Sequence, residues 1–351
     1  MTTNPIVFVE TWMNNQCSSE EDFLTLKQQM EFDSMLPIAE AALHLGAESL
    51  LQHIQSNLTT PEQYILDIVR LRIENRDGLL EHVEEALSIC TSKEHRDVHL
   101  EGRLRMERGL IRFENGDYEG AESDLTWAET RLKSVSKASR DHDLALLNKA
   151  AFHSSRGEDL MALQVYGDIS RDGGHAHETI AISRIGASRI HLSLGHQFDA
   201  ARHAWNAHKH SILSSQTLLA LESGSLFIEI CLPHIDEKAE RMRVQIEQTQ
   251  PRDAGQELPQ LSVPMKDIHD VFNWCISNVQ QPISGEHRPD LQALVRIALH
   301  LDKLDSIEFI LAHPDQADDI QLAALCMTVV QQPERVQTWN QRLSTLSSLM
   351  D

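Results

Sequence analysis

Residues 102 to 132, GRLRMERGLIRFENGDYEGAESDLTWAETRL, constrain the fold more than any other stretch, because they read as two helices joined by a turn at Gly116-Asp117-Tyr118. Small residues at Gly109, Ala121 and Ala128 let two backbones approach, Leu125 fills the space between them, and Gly116 permits a tight turn. The pattern recurs downstream. Ala150, Gly157, Ala162, Tyr166 and Ile169 stand 41 residues after Gly109, Gly116, Ala121, Leu125 and Ala128, and Phe198, Ala201 and Trp205 follow Asp159, Ala162 and Tyr166 after a further 39. Upstream, Ala86 precedes Ala128 by 42. A period of about 40 residues built from helix pairs is the mark of a repeat architecture.

The central hairpin resembles a tetratricopeptide (TPR) repeat. That family places a small residue midway along its first helix, as at Gly109, Gly-x-Tyr at the turn, as at Gly116 and Tyr118, and small residues on its second helix, as at Ala121 and Ala128. The period exceeds the family's usual length of about 34 and overlaps the HEAT and armadillo range, but the Gly-Asp-Tyr turn favours TPR. One departure is the missing proline at the repeat end, since none occurs between Pro61 and Pro233. The resemblance covers roughly residues 60 to 215 and implies an all-α, right-handed α-solenoid of TPR-like helix hairpins, followed by an irregular helical C-terminal region.

It also implies binding in place of catalysis. Stacked TPR hairpins turn their first helices inward to line a concave groove that takes a peptide or helix. In the register above, Arg103, Glu107 and Leu110 project there from one repeat, Asn148 and Ser155 from the next, and Ser183 from the third. The carboxylate clamp of chaperone-binding TPRs needs Lys and Asn, and only Asn148 fits, so that specificity is not expected. The expected function is a protein-protein interaction scaffold; the alternatives are a peptide-responsive regulatory sensor and an enzyme subunit with a helical catalytic domain.

Composition narrows the partner. Across 351 residues, 53 acidic against 31 basic side chains give a formal charge of −22, which repels phosphate backbones and excludes nucleic acid as an expected partner. A basic or amphipathic protein segment is the expected ligand, steered by the acidic surface. Aromatic residues are only 5% of the chain, and no run of alternating β-branched residues supports a sheet. Five cysteines, Cys17, Cys90, Cys231, Cys275 and Cys326, are scattered without a C-x-x-C, which reads as reduced thiols and a cytoplasmic setting. The start of the chain has no basic region and Glu10 interrupts its short apolar run, so no signal peptide is expected, and no membrane span either.

Punctuation divides the chain into four parts. Residues 1–59 hold a tail and two or three helices, with Ser18-x-x-Glu21 as a capping box. Thr60-Pro61-Glu62-Gln63 starts the repeat region, 60–249, with Thr60 as cap and Gln63 reaching back. Three prolines within 250–264 mark a linker or loop, and 265–351 is the helical C-terminal region.

Signatures of chemistry are weak throughout. Seven of the 19 histidines lie between His175 and His210, none paired at helical metal-ligand spacing; the one i,i+4 pair, His95 and His99, reads as solvated helix surface, so no metal is expected. The seven imidazoles are instead expected to titrate near neutrality and offset part of the acidic excess. His313-Pro314-Asp315 matches the J-domain tripeptide but lacks the basic helix before it, and Ser134-Val135-Ser136-Lys137 lacks the companions of an S-x-x-K enzyme. Neither phosphate-binding glycine loops nor a nucleophile elbow is present, so no cofactor and no catalytic residue are expected.

Overall fold

The structure is a computed structural model, which describes residues 5–29, 35–74, 78–92, 96–231, 234, 265–279 and 298. The Pro-rich stretch 250–264, His95, His313-Pro314-Asp315 and most of the C-terminal region lie outside the described residues. Those described form an all-α chain, as the resemblance implies. Fourteen helices are present among them: α1 (Pro5–Asn14), α2 (Glu20–Gln29), α3 (Leu36–His44), α4 (Glu48–Gln55), α5 (Thr60–Ile73), α6 (Leu79–Cys90), α7 (Val98–Glu114), α8 (Tyr118–Ser136), α9 (Arg140–Ser155), α10 (Asp159–Asp168), α11 (His177–Ser193), α12 (Gln197–Leu213), α13 (Thr217–Cys231) and α14 (Met265–Val279). Neighbouring helices pack together from α5 to α8 and from α10 to α14, while α1 reaches α3, α2 reaches α4, α3 reaches α5 and α11 reaches α13, as in stacked helix hairpins.

One turn geometry builds the hairpins. Gly116 adopts φ +82°, a left-handed conformation open to glycine at little cost, and the Asp117 N–H donates back to the Arg112 carbonyl at 2.8 Å. This six-to-one bond closes a Schellman motif, which satisfies carbonyls that the end of α7 would otherwise leave orphaned. The same bond recurs from Ala47 to Ala42, Glu158 to His153, His196 to His191 and Gln216 to Ser211. Gly46, Gly157 and Gly195 hold the left-handed position in three of these, and Ser215, at φ +58°, holds it in the last.

Close helix approach explains the small residues. Ala121, Ala128 and Ala162 are completely buried, and a Cβ added at Gly109 would lie 3.0 Å from Leu125 Cγ and 3.3 Å from the Ala121 carbonyl oxygen. Two helix caps differ from expectation by one residue. Thr59, not Thr60, caps α5: its N–H donates to Glu62 at 2.8 Å, and its hydroxyl donates to the same carboxylate. Ser19, not Ser18, caps α2, with its N–H bonded to Asp22 at 3.0 Å and the Asp22 N–H returning to the Ser19 hydroxyl at 3.1 Å.

The chain divides into two compact units, 1–152 and 153–351, the division falling inside α9. In the first, one apolar core runs from Phe8, Trp12 and Phe23 through Ile38 and Ile65 to Val83 and Leu104, so the helices before residue 60 share their interior with α5–α7. A second cluster joins Met106, Ala121, Leu125, Leu132 and Phe152. In the second unit, α11, α12 and α13 stack in order and α14 packs on α13, where Cys275 Sγ occupies the space a Cβ on Gly224 would need.

Candidate functional site: a charged lattice on the first helices

In the first unit the first helices of successive hairpins are α3, α5 and α7, with α9 opening the next hairpin. Charged side chains tie all four together. The Arg103 guanidinium, 5% exposed, donates through Nη2 to Glu40 Oε1 at 2.7 Å, through Nε to Glu107 Oε1 at 3.2 Å and through Nη1 to Asp141 Oδ1 at 2.9 Å. Glu40 Oε2 accepts from Arg140 Nη1 at 2.6 Å, and Arg72 reaches Glu107 Oε2 at 3.4 Å and Glu114 Oε1 at 3.2 Å. His99 Nε2 stands 3.3 Å from Asp141 Oδ2.

Burial by itself would make the Arg103 guanidinium easier to deprotonate, but Glu40, Glu107 and Asp141 more than offset this and hold its pKa above the ordinary arginine value. A charge removed from water survives only when paired in this way. Arg72 Nε and Nη2 are buried and make no hydrogen bond, although Nη2 keeps its ion pair with Glu107.

The six residues expected in a groove divide by burial. Arg103 and Glu107 are core members of the lattice, and Ser183, fully buried on α11, donates its hydroxyl to the Ile180 carbonyl at 2.8 Å. Leu110 and Asn148 are half-buried and Ser155 is exposed. Leu110 lies on the α7 stripe that carries Arg103, Glu107 and Glu114, and Asn148 lies two turns along α9 from Asp141. Glu40, Arg72 and Asp141 were not expected there. The signal for Glu40 was its place in α3, LPIAEAALH, where it is the one carboxylate in an otherwise apolar run.

A second charged cluster lies inside the α7–α8 hairpin, where buried Asp124 takes Arg105 at 3.3 Å, Arg112 at 2.8 Å and Arg108 through two bonds. The Asp124 hydrogen bond, together with its charge, holds the Arg108 pKa above its usual value against the opposing effect of burial.

Three histidines of the second unit depart from the expectation of a titrating cluster. Burial is the main cause in each case: His208, whose Nδ1 meets the Ala220 carbonyl at 2.8 Å, and His210, whose Nδ1 lies 2.7 Å from His177 Nδ1, are both lowered to about 4. His203 is also held well below its normal range by burial, helped by Arg202 and Arg184. These three are neutral near pH 7 because the hairpins enclose them. Arg184 is buried as well, and it closes the end of α10 by donating to the Tyr166 and Ile169 carbonyls at 3.0 and 2.9 Å.

No family model matches the chain, and no curated protein matches it. Among solved structures, the crystal structure of a Rap protein complexed with competence and sporulation factor is similar to it at 14% identity, covering 98% of this chain and 97% of that one, with a TM-score of 0.46. Among the described residues no helix is long and apolar enough to cross a membrane.

Proposed function

We propose that the chain is a non-catalytic scaffold that binds a protein segment along the first helices of its TPR-like hairpins, with the charged lattice of the first unit as the floor of the site. The observation that carries this reading is the linkage of α3, α5, α7 and α9 through Glu40, Arg72, Arg103, Glu107 and Asp141, which fixes polar groups from four helices in one array. Preorganised donors and acceptors lower the ordering cost of binding. Leu110 and Asn148 add an apolar and an amide contact beside the lattice.

A basic or amphipathic ligand suits the net charge of −22. Burial raises the pKa of the Cys231 and Cys275 thiols, pushing Cys275 up to about 12, so neither offers a thiolate nucleophile. The test is a displayed random-peptide library selected against the full chain and against a Leu110→Asp, Asn148→Arg variant. Selected peptides should be rich in Lys, Arg and apolar residues, and should lose binding to the variant at unchanged helical content. Peptides that bind both proteins equally would overturn the assignment.

A further inference from the structure

Where the six-to-one bond closes a hairpin, it brings two particular side chains together, one on the last turn of the first helix and one at the start of the second. In the α7–α8 hairpin these are Arg112 and Asp117, an ion pair at 3.7 Å, and in the α9–α10 hairpin they are His153 and Glu158, 2.7 Å apart. In the α11–α12 hairpin they are two imidazoles. The His196 N–H donates to the His191 carbonyl at 2.8 Å, Gly195 takes φ +75°, and the rings stand 5.8 Å apart. One turn further along α12, Asp199 adds a carboxylate. One donor atom from each of His191, His196 and Asp199 lies within 4.8 Å of the other two.

We propose that this turn binds a divalent transition-metal ion of the zinc type through His191, His196 and Asp199. Two imidazole nitrogens and one carboxylate oxygen are the donor set such ions favour, and three protein ligands leave a position for water. Metal bonds of about 2.0–2.2 Å need donors roughly 3.4 Å apart, so side-chain rotation of about an ångström closes the site. The backbone already fixes the anchor points, because the Schellman bond holds His191 and His196 in register. A second feature orients the ligands: the His203 ring stacks on His191 at 5.2 Å and 8°, and its own Nδ1 is buried without a hydrogen bond. Arg202, 3.4 Å from Asp199, pairs with the carboxylate and can orient it, as outer partners of metal ligands do. Local spacing rules miss the site because its ligands fall at i, i+5 and i+8 across a turn, and not at i and i+4 on one helix. The proposal is independent of the peptide-binding reading.

The experiment is calorimetric titration of the full chain, first stripped with a chelator, with Zn²⁺, and with Co²⁺ followed by visible absorption. One equivalent should bind, and the thermal midpoint of the protein should rise with added Zn²⁺. His196→Ala, at an exposed position, and Asp199→Asn should each weaken that site at least tenfold, while His44→Ala, an exposed histidine elsewhere, should leave it unchanged. Circular dichroism confirms that each variant folds, and the isosteric Asp199→Asn carries the test if His196→Ala does not. Absence of a stoichiometric site, equal affinity in wild type and the folded ligand variants, or an equal loss in His44→Ala would overturn the proposal.

Discussion

Arg108 grips Asp124 with two hydrogen bonds across the α7–α8 hairpin, Nε to Oδ2 at 2.7 Å and Nη2 to Oδ1 at 2.8 Å. Asp124 is 2% exposed and also takes Arg105 and Arg112, so it is the carboxylate that holds three like charges together. Replacing it by Ala removes the one carboxylate shared by these three partly buried cations, leaving Arg105 with Glu101 and Arg112 with Asp117. Asp124→Ala should lower stability by about 3–5 kcal/mol, measured by urea denaturation. A midpoint within error of the wild type would show that the arginines find water or other acids.

Arg103→Ala should be as damaging, because Glu40 and Glu107 would be left buried without their shared partner. The loss should be about 3–5 kcal/mol, and Arg103→Lys should recover only part of it, since one ammonium cannot span three carboxylates at guanidinium geometry. Equal stability of the Lys variant and wild type would argue against the forked geometry.

Ala121 and Ala162 sit where paired helices meet, and both are fully buried. Ala162→Leu and Ala121→Leu should each overpack the contact and lower stability by about 1–3 kcal/mol. Thermal melts that match the wild type would contradict the repeat register from Gly109 to Ile169.

Ser215 holds a left-handed backbone, φ +58°, at the position where the α3–α4, α7–α8, α9–α10 and α11–α12 turns place glycine. Ser215→Gly should therefore stabilise the protein by about 0.5–1 kcal/mol, the relief of strain exceeding the added freedom of the unfolded chain. A destabilised variant in chemical denaturation would mean that the serine makes a compensating interaction.

Acidification should weaken the second unit through His208 and His210. Their folded values, about 4, lie below the ordinary 6.5, so between these pH values the unfolded chain binds more protons than the folded one. Their contribution is neutral above pH 6.5 and becomes increasingly unfavourable as pH falls towards 4. The stability difference between wild type and a His208→Asn, His210→Asn variant should change across that window and stay flat above it. A difference independent of pH would show that these imidazoles titrate alike in both states.

The hairpin turns are legible in the sequence because their determinant is local: a glycine after a helix end, followed by a capping residue, as at Gly116-Asp117. The caps that shift by one residue are legible in kind but not in register. Ser18-Ser19 and Thr59-Thr60 are doublets, and each offers two frames. At the second doublet the frame with Glu62 prevails over that with Gln63, since a carboxylate is the stronger acceptor for an N-terminal N–H. The charged lattice was not legible. Spacing along α7 places Arg103 and Glu107 on one face, but nothing local says that Glu40 and Asp141, 63 residues before and 38 after Arg103, close upon it. Without those partners an arginine on an inner stripe reads as a ligand contact.

Arrays of helical repeats usually tolerate gain or loss of a unit, since each module touches only the next. The bond from Arg103 to Glu40 bypasses a whole hairpin, α5–α6, and so breaks that independence. Excising or duplicating any module between α3 and α9 would strand a charge in the interior. Over this span the chain behaves as an indivisible block whose repeat number is fixed by electrostatics, and length variants should arise only outside it.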